Sequence, residues 1–137
     1  MAMTAIITRH QPFSDSTDSL LRFAMRVDAT LTGVLGLAVA MLGDPLARAA
    51  GLTAAQGYIA GAAFVLCGLV VYALAASPDL RRVGVGLVAF NAVSTLGFIA
   101  AAELLSLTPF GVVGVLAAGL YTAIFAVLQY LGVRRLA

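Results

Sequence analysis

The sequence predicts an all-α transmembrane four-helix bundle, and three observations support this fold class. Hydrophobic residues make up 62% of the 137-residue chain and charged residues only 10%, whereas a typical soluble domain has about 25% charged residues. Four apolar runs are each long enough to cross a hydrocarbon core of about 30 Å. Turn and helix-capping residues separate these runs. Because lipid offers no partner to free backbone groups, each run must be helical.

The predicted organisation is a polar tail followed by a single membrane domain, as the chain length allows. The tail covers residues 1–19 and is expected to lie in the cytoplasm, and the membrane domain covers residues 20–137. Within this domain we expect spans at about residues 20–43, 57–76, 83–105 and 109–133.

Residue types typical of helix ends agree with these limits. Residues 14–19 (SDSTDS) are rich in N-cap residues and are expected to precede the first helix. Between the first two spans, residues 44–51 (DPLARAAG) predict a short surface helix closed by Gly51. Residues 53–56 (TAAQ) match a capping box for the second span. In residues 107–111 (LTPFG), a threonine cap precedes a proline at the first helical position of the fourth span.

The distribution of arginine predicts the orientation in the membrane. The chain has no lysine, and only Arg48 is predicted to lie on the outer side. The other seven arginines are predicted to lie on the opposite side: Arg9, Arg22, Arg26, Arg81, Arg82, Arg134 and Arg135. The positive-inside rule therefore places the protein in the cytoplasmic membrane with both termini in the cytoplasm.

Residue counts exclude several classes of site. Cys67 is the sole cysteine and His10 the sole histidine, which excludes an intrachain disulfide, a cysteine-based metal site and bis-histidine haem within one chain. Without a catalytic constellation, we expect neither an enzyme nor a bound metal or cofactor. The arginines are scattered between apolar runs instead of clustered on one face, which argues against nucleic-acid binding.

Small residues at helical spacing predict close packing between helices. In lipid, close backbone approach and a few polar contacts hold helices together, because apolar contact alone gives little advantage. The first span carries Gly33, Gly36, Ala40 and Gly43, and the second carries Gly57 and Gly61. The most specific pattern is a four-residue repeat in the fourth span: Gly114, Ala118, Thr122 and Ala126.

Polar residues within the spans are the candidate site, because such groups are costly in a bilayer and often functional. With a rise of about 1.5 Å per residue, five of them are predicted to lie in the cytoplasmic half of the spans. They are Asp28, Thr32, Tyr72, Asn91 and Gln129. Glu103, near the outer end of the third span, is a secondary candidate.

Two interpretations of the polar cluster remain open at this point. In the first, Asp28 pairs with an arginine among Arg81, Arg82, Arg134 and Arg135, while Asn91 and Gln129 form structural hydrogen bonds between helices. In the second, the cluster forms the polar floor of a pocket that opens to the cytoplasm or the inner leaflet. A ligand with a polar head and an apolar tail, such as a quinone or a lipid, would suit this pocket.

Four short features carry a resemblance to a known group of proteins: RVDA (26–29), Asn91, LTPFG (107–111) and LQYLGVRR (128–135). Together with the four spans, they make the chain similar to small actinobacterial four-span membrane proteins of unknown function, over about residues 22–135. The resemblance implies the fold and the location, and it carries over no functional residue. Small multidrug-resistance transporters have a similar size, but they depend on a mid-span glutamate and on tryptophan, which are absent here.

We therefore expect a small integral membrane protein with a binding or accessory role. It would hold a hydrophobic ligand such as a lipid or quinone, or dock on a larger membrane complex. The alternative is a small proton-coupled transporter that works as a homo-oligomer, with Asp28 or Glu103 titrating. Membrane lipids are the expected surroundings in either case.

Overall fold

The computed structural model describes the backbone of residues 12–136 and the side chains of residues 18–136. It is all-helical, as the sequence predicts, and the described residues contain no strand. The helices are α1 (Pro12–Met41), α2 (Gly43–Ala50), α3 (Ala54–Leu74), α4 (Leu80–Leu104) and α5 (Pro109–Arg134). Arg9 and His10 lie outside the described residues.

Four helices are long and apolar enough to cross a membrane: Asp18–Met41 of α1 together with α3, α4 and α5. Only 28% of the apolar window of α1, and 17% of the window in each of the others, is buried inside the protein. The remaining surface presents large apolar side chains outward, which lipid tolerates and water does not. The chain thus has the architecture of a multi-pass membrane protein.

The local signals at three helix ends are confirmed. Gly51 closes α2 in the left-handed conformation (φ 81°), and the Thr53 and Gln56 capping box begins α3. The Thr108 hydroxyl accepts a hydrogen bond from the backbone N–H of Gly111 at the start of α5. These motifs are formed by residues close in sequence, so the sequence pattern is sufficient to specify them.

The predicted cap before the first span is wrong. Residues 14–19 lie inside α1, which already includes Pro12. Asp18 and Arg22 form an ion pair one turn apart (3.0 Å), and such a pair stabilises continued helix. The first helix is therefore longer than its apolar run.

The short helix α2 packs against the start of α3 and the start of α5, at one end of the bundle. It buries Gly43 and Ala47 and turns its charged residues outward. The Arg48 guanidinium hydrogen-bonds the Asp44 carboxylate and holds the pKa of that carboxyl below its usual range. This pair spans one helical turn and supports a helix too short to be stable alone.

The spans pack as two pairs, α1 with α3 and α4 with α5, and α1 also contacts α5. Helices α3 and α4 are consecutive in the chain but scarcely pack on each other. One contact between them is the pair of rings of Phe64 and Phe98, whose centroids are 6.5 Å apart. The bundle therefore has a gap between α3 and α4, which the two rings bridge at one point.

The predicted role of the small residues of the first two spans in close helix packing is confirmed, and the structure shows that these two spans pack on each other. A Cβ added at Gly36 would lie 2.6 Å from the backbone nitrogen of Val65 and 2.8 Å from the carbonyl oxygen of Gly61. A Cβ added at Gly61 would lie 2.5 Å from the backbone nitrogen of Ala40. The backbones of α1 and α3 thus approach so closely that no larger residue fits at these positions.

The predicted packing stripe of the fourth span is wrong at Gly114, whereas Thr122 contacts Thr95 of α4. A Cβ added at Gly114 would meet nothing within 4 Å, and Ala118 and Thr122 line a cavity. The close contacts of α5 are instead made by Gly111, against the backbone of Ala50, and by further glycines near its middle and end. A small residue either allows a neighbouring helix to approach or leaves a space, and in α5 three residues of the repeat line the cavity: Gly114, Ala118 and Thr122.

Candidate ligand-binding site

The centre of the site is the carboxylate of Asp28, which is buried in α1 (5% exposed). Its Oδ1 accepts hydrogen bonds from the hydroxyls of Thr32 (3.1 Å) and Tyr121 (3.0 Å). Its Oδ2 accepts from the side-chain amides of Gln129 (2.8 Å) and Asn91 (3.4 Å). These four neutral donors come from α1, α4 and α5, so one carboxylate joins three helices.

The donors are also connected to one another. The Asn91 amide donates to Oε1 of Gln129 (2.8 Å), and Gln129 is completely buried. The hydroxyls of Thr32 and Tyr121 lie 3.0 Å apart, and either one can donate to the other. The Tyr121 hydroxyl also lies 3.1 Å from the backbone carbonyl oxygen of Asp28. The amide side of the carboxylate is thus fixed, whereas the hydroxyl side can rotate its protons.

The interpretation of Asp28 as an ion-pair partner is wrong. The ion pairs within the described side chains are Arg22 with Asp18 and Arg48 with Asp44, each one turn apart on its own helix. Arg22 also donates to the carbonyl oxygen of Ala75 (2.6 Å) and so joins α1 to the end of α3. Asp28 lies six residues further along α1, about 9 Å deeper in the bundle. The interhelical hydrogen bonds expected of Asn91 and Gln129 are confirmed.

A cavity of about 370 Å³ lies between α1, α3, α4 and α5, directly beside this network. Asp28, Thr32, Asn91 and Tyr121 all line it. The remaining lining is largely apolar and includes Leu35, Phe64, Val71, Leu87, Phe90 and Phe98. Ligand sites in proteins have this size and this combination of apolar walls with a few convergent polar groups.

A second, apolar groove adjoins the cavity between α3 and α4. The two spaces share four lining residues: Cys67, Val71, Leu87 and Phe90. The groove continues along Leu66, Val70 and Leu74 of α3 and along Val83 and Gly86 of α4. Because α3 and α4 scarcely pack on each other, the cavity and the groove adjoin along this side of the bundle.

The structure brings four of the predicted site residues together: Asp28, Thr32, Asn91 and Gln129. It places the other two elsewhere. Tyr72 is 56% exposed on the outside of α3, because Val71 and Ala75 occupy the inward face and consecutive helical residues point about 100° apart. Glu103 is exposed near the end of α4 and does not line the cavity.

Sequence reasoning missed Tyr121 and Ser94 as site residues. Tyr121, Phe125 and Gln129 follow one another at four-residue steps on α5, so the signal that places Tyr121 beside Gln129 was present in the spacing. Ser94 lies one turn from Asn91 on α4 and lines the cavity, and its hydroxyl makes no hydrogen bond within the described residues. Thr122 lines the cavity too and hydrogen-bonds Thr95 of α4 (2.7 Å).

The described residues contain no group of three histidine, cysteine, aspartate or glutamate side chains that could hold a metal ion. Comparison with known protein families, with curated proteins and with solved structures finds no match for this chain.

Proposed function

We propose that this protein binds an amphipathic small molecule of the bilayer in the cavity beside Asp28. The observation that carries the proposal is that four members of the buried polar network line one cavity between the helices: Asp28, Thr32, Asn91 and Tyr121. A cavity beside a purely structural network would lower stability, because the side chains that line a cavity lose packing contacts. A ligand with a polar head and an apolar body fits both parts of this lining.

The α3–α4 gap provides the access route. The groove in this gap is apolar and adjoins the cavity, so a molecule dissolved in the membrane can reach the network without crossing water. Residues 66–74 and 83–90 belong to the half of the spans nearest the α3–α4 turn. The ligand therefore enters sideways from the leaflet on that side.

By the positive-inside rule, that leaflet is the cytoplasmic one, with the protein in the cytoplasmic membrane and both termini inside. The start of α1, the α3–α4 turn and the end of α5 lie together, as the contacts of Arg22 with Ala75 and of Leu21 with Gly132 require. The variant Asp79→Cys, made in a Cys67→Ala background, tests this orientation. We expect an impermeant maleimide to label it only from the cytoplasmic side; labelling from outside intact cells would overturn the assignment.

Filling the cavity tests the binding role. Gly114→Leu adds a side chain at a residue that lines the cavity and where an added Cβ meets nothing, and Gly97→Leu makes the same change at an equally open position of α4 that does not line the cavity. Native mass spectrometry of protein purified from its own membrane is expected to find a bound small molecule on the wild type and on Gly97→Leu, and none on Gly114→Leu. Equal occupancy in both variants, or an empty wild type, would refute the role.

A second candidate, proton-coupled transport, is favoured by the rotatable hydroxyls of Thr32 and Tyr121. They can accept a proton placed on Oδ1 of Asp28 as well as donate to it, so the carboxyl keeps its partners in either state. In proteoliposomes, Asp28→Asn should abolish proton-driven flux of a bound molecule, and Glu103→Gln should preserve it. Binding without any flux in the wild type would reject transport and leave the binding role intact.

A further inference from the structure

We infer that the ligand is an amphiphile with a cationic head, of the alkylammonium class, whose charge lies against Asp28. This inference rests on the proposed function, since it names the chemistry of the molecule that the cavity takes. The contacts of Asp28, the lining of the cavity and the shape of the adjoining groove each support it.

The first support is an uncompensated charge. All four partners of Asp28 donate hydrogen bonds and none is charged. This set suits an ionised carboxylate, whose two oxygens offer about four acceptor sites. No guanidinium among the described side chains lies within ion-pair distance of it. A negative charge in an apolar bundle is costly even when it is hydrogen-bonded. A ligand cation in the cavity would therefore be attracted to the Asp28 carboxylate, for which no arginine among the described side chains competes at ion-pair distance.

The second support is the lining of the cavity itself. Asp28 is its one charged lining residue, and the other titratable groups there are Cys67 and Tyr121. No positive group is present to repel a cation. Three phenylalanine rings also line the space, and the faces of aromatic rings attract cations.

The third support is the shape of the adjoining groove. It is lined on the α3 side by Leu66, Val70 and Leu74 and on the α4 side by Val83 and Gly86. An alkyl chain can lie in this groove while the head occupies the cavity. The same arrangement disfavours the alternatives. An anionic lipid would meet the Asp28 carboxylate, and a quinone carbonyl would find most nearby donors already engaged with that carboxylate.

A matched pair of probes tests this inference. Dodecylamine and dodecanol have the same chain and differ at the head, because the amine is protonated at neutral pH. Each is titrated into phosphatidylcholine nanodiscs with and without the protein, and the difference gives binding to the protein. We expect the amine to bind the wild type about tenfold or more tighter than the alcohol, as for a charge-assisted contact.

Variants assign the preference to Asp28. Asp28→Asn should bring the two affinities together, whereas Glu103→Gln, which removes an exposed carboxylate outside the cavity, should leave the preference unchanged. Should Asp28→Asn fail to fold, Ser94→Lys and Ser94→Met provide the same comparison. The lysine brings its own cation to the cavity and should abolish the amine preference, and the methionine, of similar length and neutral, should retain it.

The outcomes separate the two proposals. If the alcohol binds as tightly as the amine and Gly114→Leu abolishes both, the cationic head is overturned and the binding cavity stands. If binding of both probes is unaffected by Gly114→Leu, the cavity is not the site and both proposals fail. An amine preference that persists in Asp28→Asn or in Ser94→Lys would overturn the assignment to Asp28.

Discussion

At the scale of single residues, three of the four hydrogen bonds to Asp28 join α1 to another helix: those from Asn91, Tyr121 and Gln129. Interhelical hydrogen bonds in membranes contribute about 0.6 kcal/mol on average and up to about 1.7 kcal/mol. The bonds to Asp28 belong at the upper end, because the acceptor is a buried carboxyl group with several donors. The donors on α4 and α5 fix the rotation of those helices relative to α1, so the network sets which faces of α1, α4 and α5 meet.

Removing one hydroxyl from this network should lower stability. Tyr121→Phe deletes a donor to Oδ1 of Asp28 and keeps the ring that packs on Phe125 (centroids 4.7 Å apart). We expect a loss of about 1–2 kcal/mol of unfolding free energy in detergent. Tyr72→Phe is the matched control, since it deletes a hydroxyl from an exposed tyrosine outside the network and should leave stability unchanged. Equal stability of the two variants would show that the Tyr121 bond contributes nothing.

The same residues show how far the site could be predicted from the sequence. Asp28, Thr32, Asn91 and Gln129 were found from their depth along the spans, because a polar group at that depth needs partners. Depth does not give the direction in which a side chain points, so Tyr72 was wrongly grouped with them. In a membrane helix the lipid-facing and core-facing sides are both apolar, and hydrophobic periodicity therefore does not distinguish an inward tyrosine from an outward one.

At the scale of helices, close contact on one side of the bundle accompanies a gap on the other. Glycines bring the backbones of α1 and α3 together at Gly36 and Gly61, and α4 and α5 form the second tight pair. Helices α3 and α4 remain apart. The tight contacts hold the walls of the cavity in place, and the gap leaves the cavity open to lipid.

The α1–α3 contact should be sensitive to a single methyl group. Gly61→Ala puts a Cβ 2.5 Å from the backbone nitrogen of Ala40, where no flexible side chain can move aside. We expect a destabilisation of about 1–3 kcal/mol, as for other overpacked positions. Gly97→Ala gains the same helix propensity with nothing near the new methyl, so it should be neutral or stabilising by up to about 1 kcal/mol. Thermal unfolding of the two variants, measured side by side, makes the comparison. If the stability of Gly61→Ala were not lower than that of the wild type, the close approach of α1 and α3 would be refuted.

Three helix ends could be predicted from the sequence, whereas the start of α1 and the packing of Gly114 could not. The caps at Gly51, Thr53 and Thr108 depend on neighbours within a few residues, and the sequence contains all of these. The repeat of Gly114 and Ala118 has the same spacing as a true packing stripe but faces the cavity. Whether a small residue meets a neighbour or a space depends on the path of the other helices, which the spacing on one helix does not specify.

At the scale of the whole molecule, an apolar bundle surrounds one buried acid that has no cationic partner among the described residues. Its four spans meet the length and hydropathy needed to cross a bilayer, and its arginines lie mostly at the end near the α3–α4 turn. The cavity lies between the two helix pairs and adjoins the groove on the lipid side. A molecule of the membrane can therefore reach Asp28 from the side, which neither helix pair alone would permit.

Photolabelling tests this account most directly. A dodecylamine analogue with a diazirine in its alkyl chain is activated in nanodiscs, with and without excess dodecylamine, and the labelled residues are mapped by peptide mass spectrometry. We expect the label removed by competition to lie on residues that line the cavity and groove, such as Leu35, Phe90 and Leu74. Competed label confined to outward positions such as Val93, Leu96 and Leu120, or no competed label at all, would contradict it.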